Sequence, residues 1–229
     1  MIKDRITTAM LWLGGAITTA AFFMAFFWAG PVAYGDGRID FAQKIFYLHV
    51  PVAEASFLVF FFTAFYAVRF LMTRDRIYDT KSRIAMEVTL VFVLLTMATG
   101  DLWTRVEWGK WWVWEPRLTT YFIMTLLVIA YFVLRSSLED EERRATYAAV
   151  FGIIAFIDAP LSFFITRITP GVHPVVLASK SGGLEPPMLI TFIVAQVGML
   201  MLGYAIYQLR MREEHVKENI EALKASLEG

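Results

Sequence analysis

The sequence predicts an all-α polytopic membrane protein, a bundle of six transmembrane helices with a tryptophan-rich segment on its outer side. Three observations carry that prediction. Hydrophobic residues make up 58% of the 229-residue chain and charged residues only 18%, a balance too apolar for an ordinary soluble domain. No charge occurs in the thirty positions between Arg5 and Asp36, or in the twenty-four between Glu185 and Arg210; each run exceeds the roughly 20 residues that cross a bilayer. Cysteine is absent, which excludes disulfides, thiolate metal sites, iron–sulfur clusters, thiol nucleophiles and covalent haem attachment.

The spans are placed near residues 8–29, 50–71, 84–100, 118–134, 145–166 and 187–209. The first is longer than a signal-peptide core and lacks a small-residue cleavage site, so it reads as a retained anchor. His49 opens the second, with Pro51 suited to its first turn. The third and fourth are short, and Pro116 suits the start of the fourth. The second, third and fifth each contain one acid, Glu54, Glu87 and Asp158. Brief connections and the absence of repeats make residues 1–209 one six-span domain. Residues 210–229 form an amphipathic tail, with Val216, Ile220, Leu223 and Leu227 on one stripe and Glu213 four residues before Lys217. The tail is either a docking surface or simply solvated; His215 on it is expected to be solvated and receives no role.

Six spans put both termini on one side. Lys3, Arg5, Arg69, Arg74, Arg76, Lys81, Arg83, Arg135, Arg143, Arg144, Arg210, Arg212, Lys217 and Lys224 fall there, fourteen of the 21 basic residues. Arg38, Lys44, Arg105, Lys110, Arg117, Arg167 and Lys180 make up the seven opposite. The positive-inside bias therefore predicts cytoplasmic termini; the plasma membrane, the inner membrane of a bacterium, is the expected location of this multi-pass protein. Zero net charge gives no sign of a nucleic-acid surface.

His49, in YLHVP, and His173, in PGVHP, share the outer level of the bundle. Either alone reads as a polar tip at the interface, whereas two at one depth suggest a joint site. Between the third and fourth spans, Trp103, Trp108, Trp111, Trp112 and Trp114 place five of the seven tryptophans within twelve residues. If that segment is helical, Trp108, Trp111, Trp112 and Glu115 share one face, and the helix ends at Glu115–Pro116. An aromatic belt at the headgroups accounts for one or two such rings. Five, alternating with Arg105, Lys110 and Arg117, better suit a platform for a large flat apolar ligand with anionic edges, such as a tetrapyrrole. Haem would use the two imidazoles on its axis and basic residues, Arg117 foremost, on its propionates.

These residues resemble a known family. The run WGKWWVWEPRLTT is similar to the tryptophan-rich signature of the haem-handling proteins of cytochrome c maturation. With YLHVP and the late outer His173, it resembles haem exporter protein C, the CcmC family, over nearly the whole chain. The resemblance implies that His49 and His173 are axial ligands of a noncovalent, transient haem b. It implies too that Trp108, Trp111, Trp112, Trp114, Glu115 and Arg117 belong to the haem-contacting segment. It further implies delivery to a haem chaperone of the CcmE type, in a complex with an ABC-type ATPase, its membrane subunit and a small single-span protein. Glu115 and Pro116 depart from the Asp and Ala of the best-known members.

Two acids admit local readings. Asp158, two residues before Pro160, reads as a hydrogen-bonding link between helices at a proline-disrupted turn, with a proton relay as the functional alternative. Glu54, about one turn beyond His49, reads as an acceptor that orients the imidazole. No Walker A motif, paired nucleophile and base, or catalytic carboxylate pair is present, so the chain is expected to be no enzyme, with any ATP hydrolysis in a partner. Two other functions share these features. A cytochrome b-like electron-transfer subunit usually needs haems at two depths, and the histidines suffice for one. A transporter with its own pathway predicts polar midplane groups in an inverted repeat, of which Asp158 is the sole candidate.

Overall fold

Where no water reaches the backbone, a spanning chain must satisfy its own N–H and C=O groups, and the helix does so within one segment. The structure, a computed structural model, describes residues 2–33, 39–174 and 184–228. Its helices are α1 (Ile2–Phe27), α2 (Phe46–Thr73), α3 (Arg76–Glu107), α4 (Pro116–Ser136), α5 (Glu141–Phe156), α6 (Asp158–Ile168) and α7 (Pro186–Glu228). Six spans are long and apolar enough to cross a membrane, α5 and α6 together making the fifth. A two-stranded antiparallel ribbon, β1 (Val32–Ala33) with β2 (Ile39–Asp40), pairs Val32 with Asp40 between the first two spans. Arg38 and Lys180 lie outside the described residues, as does the side chain of Lys3.

Local chemistry sets the breaks. Arg74 adopts left-handed backbone at φ 58° and donates its N–H to the Phe70 carbonyl at 2.7 Å, closing α2. Asp75 then caps α3 by accepting from the Ile77 N–H at 3.0 Å. Asp140 caps α5 in the same way from Arg143, at 2.8 Å. Pro160 has no N–H for the Phe156 carbonyl and its ring crowds that oxygen, so the fifth span divides at Ile157. Pro51 is not in the first turn of α2 as expected: a 3-10 turn at Ala42–Ile45 leads straight into a helix that starts at Phe46, and leaves the proline inside it. The third span, too, is longer than expected, because α3 runs polar residues past both ends of its apolar stretch.

The main core gathers Phe60, Met86, Val93, Tyr121, Met124, Val128 and Tyr131 with the small residues Ala148, Ala155 and Ala159. Outward-facing Phe22, Phe61, Leu94, Leu126, Ile154 and Ile193 are exposed, as lipid-facing side chains are. Helix α1 leans on α7 through glycine. A Cβ on Gly198 would lie 2.5 Å from Thr18 Oγ1 and 2.8 Å from the Thr18 backbone nitrogen.

At the end of the bundle that carries the termini, charges pair across helices. Arg135 on α4 grips Asp79 on α3 with bonds of 2.7 and 3.0 Å. Glu87 accepts from Arg83 at 2.7 Å and from Arg210 on α7 at 2.6 Å, and Arg83 also meets Glu214 at 2.5 Å. The segment after residue 209 begins with no break, since α7 is continuous to Glu228; Val216, Ile220, Leu223 and Leu227 are exposed along it.

Two stability predictions follow from these contacts. Gly198→Ala drives a methyl group into unyielding backbone of α1, and should destabilise the protein by about 1–3 kcal/mol in thermal unfolding in detergent micelles. Arg135→Met leaves a nearly buried Asp79 carboxylate unpaired, and should cost about 3–5 kcal/mol; the double variant Asp79→Asn/Arg135→Met should recover most of that loss in the same measurement.

Candidate functional site

A cavity of about 340 Å³ opens at the end of the bundle where α2 begins. Helix α2 supplies His49, Ala53, Glu54 and Phe57 to its wall, and α3 supplies Thr96, Met97, Gly100, Asp101, Trp103 and Thr104. Helix α4 adds Arg117, Leu118 and Tyr121, and α6 adds Phe163, Thr166 and Arg167. Gln43, Trp112 and His173 enter from the connections. Apolar and aromatic side chains thus form most of the wall, with two imidazoles, two guanidinium groups and the carboxylates of Asp40, Glu54 and Asp101 set among them.

Both imidazoles are engaged through Nδ1. His49 Nδ1 lies 3.0 Å from Thr99 Oγ1. His173 donates from Nδ1 to the Pro174 carbonyl at 3.0 Å, and its ring lies 6.2 Å from that of Trp103. Burial in the cavity wall, then the positive charge of Arg117, pushes the His173 pKa down to about 3. At neutral pH this ring is therefore uncharged, with the lone pair on Nε2. Arg117 itself reaches the Phe163 carbonyl at 3.4 Å, and Arg167 reaches the same oxygen at 3.0 Å while its guanidinium sits 4.7 Å from the Phe163 ring.

The tryptophan segment differs from the helix expected of it. Helix α3 ends when the Trp108 N–H meets the Thr104 carbonyl at 2.9 Å, and Gly109 then turns the chain with left-handed backbone at φ 68°. Thr104 Oγ1 fastens the returning strand through the Trp111 carbonyl at 2.9 Å. Trp108, Trp111, Trp112 and Glu115 consequently share no helical face. Only Trp112 of that run lines the cavity. Trp108 packs edge-on against Trp103 at 5.0 Å, Trp111 lies exposed under Arg105, and Trp114, 72% exposed, contacts Trp112 and Phe122. Arg105 bonds the Gly109 carbonyl at 2.6 Å and, like Lys110, stays off the cavity wall.

Glu115 is a buried helix cap. Its Oε1 accepts from the Leu118 N–H at 2.6 Å, and Pro116 occupies the first helical position. A Cβ on Gly171 would sit 2.9 Å from Glu115 Oε2, so this carboxylate also packs against the loop that carries His173. Glu54 lines the cavity but does not orient His49; Thr99 occupies the Nδ1 side of that ring. Asp158 is buried at the first turn of α6 with Oδ2 unpartnered, and does not line the cavity. The hydrogen-bonded link expected of it is absent among the described residues; its carboxylate sits at the positive end of a helix dipole instead.

Trp103, Arg167, Tyr121 and Gly100 are cavity residues that the sequence did not single out. Trp103 and Arg167 were legible only as members of an outer aromatic run and an outer charge list. Tyr121 and Gly100 carry no local signal at all.

The donor set can be compared with a haem. Trp112 Nε1 and Gln43 Oε1 are buried without a hydrogen-bond partner, and both residues line the cavity. An unpartnered indole N–H in a cavity that also holds two arginines suits a carboxylate edge, apolar walls suit a porphyrin face, and neutral imidazole suits iron. Among the described residues there is no group of three or more potential metal ligands, as a protein-built metal centre would need.

Similarity to known proteins covers most of the chain. The chain is 27% identical over 183 residues to heme exporter protein C of Bradyrhizobium diazoefficiens, covering 79% of this chain and 70% of that protein. It is 26% identical over 185 residues to heme exporter protein C of Paracoccus denitrificans, covering 80% and 77%. With the protein of that name from Escherichia coli K12 it shares 24% identity over 182 residues, covering 80% and 73%. The family profile described as heme exporter protein C, CcmC, matches residues 1–226. A match that takes in all six spans and both cavity histidines means that the chain belongs to the heme exporter protein C family.

Proposed function

We propose that the chain binds haem b noncovalently in the cavity between α2, α3, α4 and α6, with His49 and His173 as axial ligands, and passes it to a haem chaperone of the CcmE type. The observation that carries this reading is the convergence of two imidazoles from distant parts of the chain on one apolar cavity, beside Arg117 and Arg167. Haem is the cargo; iron accepts the two Nε2 lone pairs, and the chain supplies everything else. Arg117, Arg167 and the Trp112 N–H receive the propionates, and Trp103 and Phe163 flank the ring.

Family membership supports a role in cytochrome c maturation within an exporter complex. In that complex, an ABC-type ATPase and its membrane subunit would perform any ATP hydrolysis, and a small single-span protein would complete the assembly. The excess of Lys and Arg at the end carrying the termini supports an inner-membrane orientation with cytoplasmic termini and the cavity facing outward. The amphipathic tail after residue 209 then lies in the cytoplasm. Of the tryptophan segment, Trp112 has the direct role; Trp108, Trp111 and Trp114 build the outer surface a chaperone would meet, and Glu115 holds the His173 loop to α4.

Absorption spectra of protein purified from haem-replete cells test the reading. Wild type should show a low-spin bis-imidazole spectrum, and His49→Ala and His173→Ala should each lose or alter it. A wild type without haem, or a spectrum indifferent to both substitutions, would overturn it.

A further inference from the structure

We propose that Thr99 and Gly100 on α3 are positioning residues for His49: they fix its proton on Nδ1 and present Nε2 to the cavity as a metal ligand. The proposal rests on the haem reading of the cavity, and follows from counting protons. Thr99 Oγ1 has one hydrogen and three neighbours, the Leu95 carbonyl at 2.9 Å, the Thr96 carbonyl at 3.1 Å and His49 Nδ1 at 3.0 Å. A carbonyl oxygen can only accept. With the hydroxyl proton turned back along the helix, Oγ1 offers a lone pair to the imidazole, and His49 must be the donor.

The backward turn is the habit of this protein. Thr89, Thr96, Thr125 and Thr191 each donate to a carbonyl four residues earlier, at 2.9, 2.8, 2.9 and 2.7 Å. Thr99 is the threonine whose remaining acceptor capacity meets an imidazole. The opposite tautomer would set the bare Nδ1 against an oxygen lone pair, or take the hydroxyl proton from both carbonyls.

Gly100 supplies the room. A Cβ there would stand 3.1 Å from His49 Cε1 and 3.7 Å from Nδ1, and glycine in a helix interior is otherwise less favourable than alanine. The imidazole occupies the place of the missing side chain, which aligns its Nδ1 with the hydroxyl of the preceding residue. His173 is set in the same tautomer by a different acceptor, the Pro174 carbonyl. Both rings therefore present Nε2 without any proton having to move when iron arrives.

Nitrogen NMR of haem-free, ¹⁵N-histidine-labelled protein in micelles reads the tautomer directly, with the His49 signal identified by its loss in His49→Ala. Wild type and Thr99→Ser should show Nδ1–H, and Thr99→Val a mixture of tautomers. In haem-loaded protein, Thr99→Val should weaken haem retention roughly 10- to 100-fold and raise the reduction potential of the bound haem, because the ligand loses basicity; Thr99→Ser should restore both. An unchanged tautomer and potential in Thr99→Val, in protein that keeps its bis-imidazole spectrum, would overturn the proposal and leave the haem reading standing. A wild-type haem spectrum indifferent to His49→Ala would overturn both. The serine variant and the haem-free spectra separate positioning from a mere loss of packing.

Discussion

The antiparallel contact of α2 with α3 is the interaction on which the other elements depend. Only Arg74 and Asp75 separate the two helices, and the left-handed Arg74 together with the Asp75 cap leaves the chain no alternative to an immediate return. Val52, Ala55, Val88 and Phe92 close the seam, and Ser82 reaches across it to the Thr63 carbonyl at 2.9 Å. Position 49 lies twenty-five residues before Arg74, and position 100 twenty-five after Asp75. Equal arms of one hairpin thus bring His49 to Gly100 at the far end. A cap at one end of the bundle sets the register of the cavity histidine at the other.

Seen from this hairpin, the other helices have clear tasks. Helix α4 packs Tyr121, Met124 and Val128 into the main core and holds its base to α3 through Arg135 and Asp79. The fifth span resumes after its break as α6, which brings Phe163 and Arg167 to the cavity. Thr120 and Ser162, hydrogen-bonded at 3.1 Å, fasten that half-helix to α4. Threonine and serine do most of this polar work inside the spans. A hydroxyl can satisfy itself on its own helix and still offer a lone pair to a neighbour, which no charged group can do in hydrocarbon without a partner.

Much of this was legible in the sequence, for definite reasons. The spans follow from hydropathy because the bilayer imposes a length, and the Glu115–Pro116 start of α4 follows from cap and ring chemistry. The joint presence of His49 and His173 followed from topology alone. The tryptophan segment misled because its spacing imitates a helical face, whereas Gly109 and the Thr104 hydroxyl commit the chain to a turn. Position along the chain also suggested Arg105 and Lys110 beside Arg117, but Arg167 reaches the cavity from the other side of a bundle whose packing no local pattern specifies. Glu54 was one turn from His49 and still lost that place to Thr99, fifty residues away. Short-range proximity on a helix is a poor guide when a neighbouring helix lies closer than the next turn.

The continuity of α7 has a mechanical meaning. Its 43 residues, at about 1.5 Å each, make a rod of about 64 Å, some twice the roughly 30 Å of bilayer hydrocarbon. The rod begins two residues after Leu184, a member of the cavity wall. Near its middle, Arg210 is clamped to Glu87. About 36 Å of helix lies on the cavity side of that clamp and about 27 Å on the other. The exposed arm beyond the clamp is therefore a stiff continuation of the sixth span, held in line with it by unbroken helix.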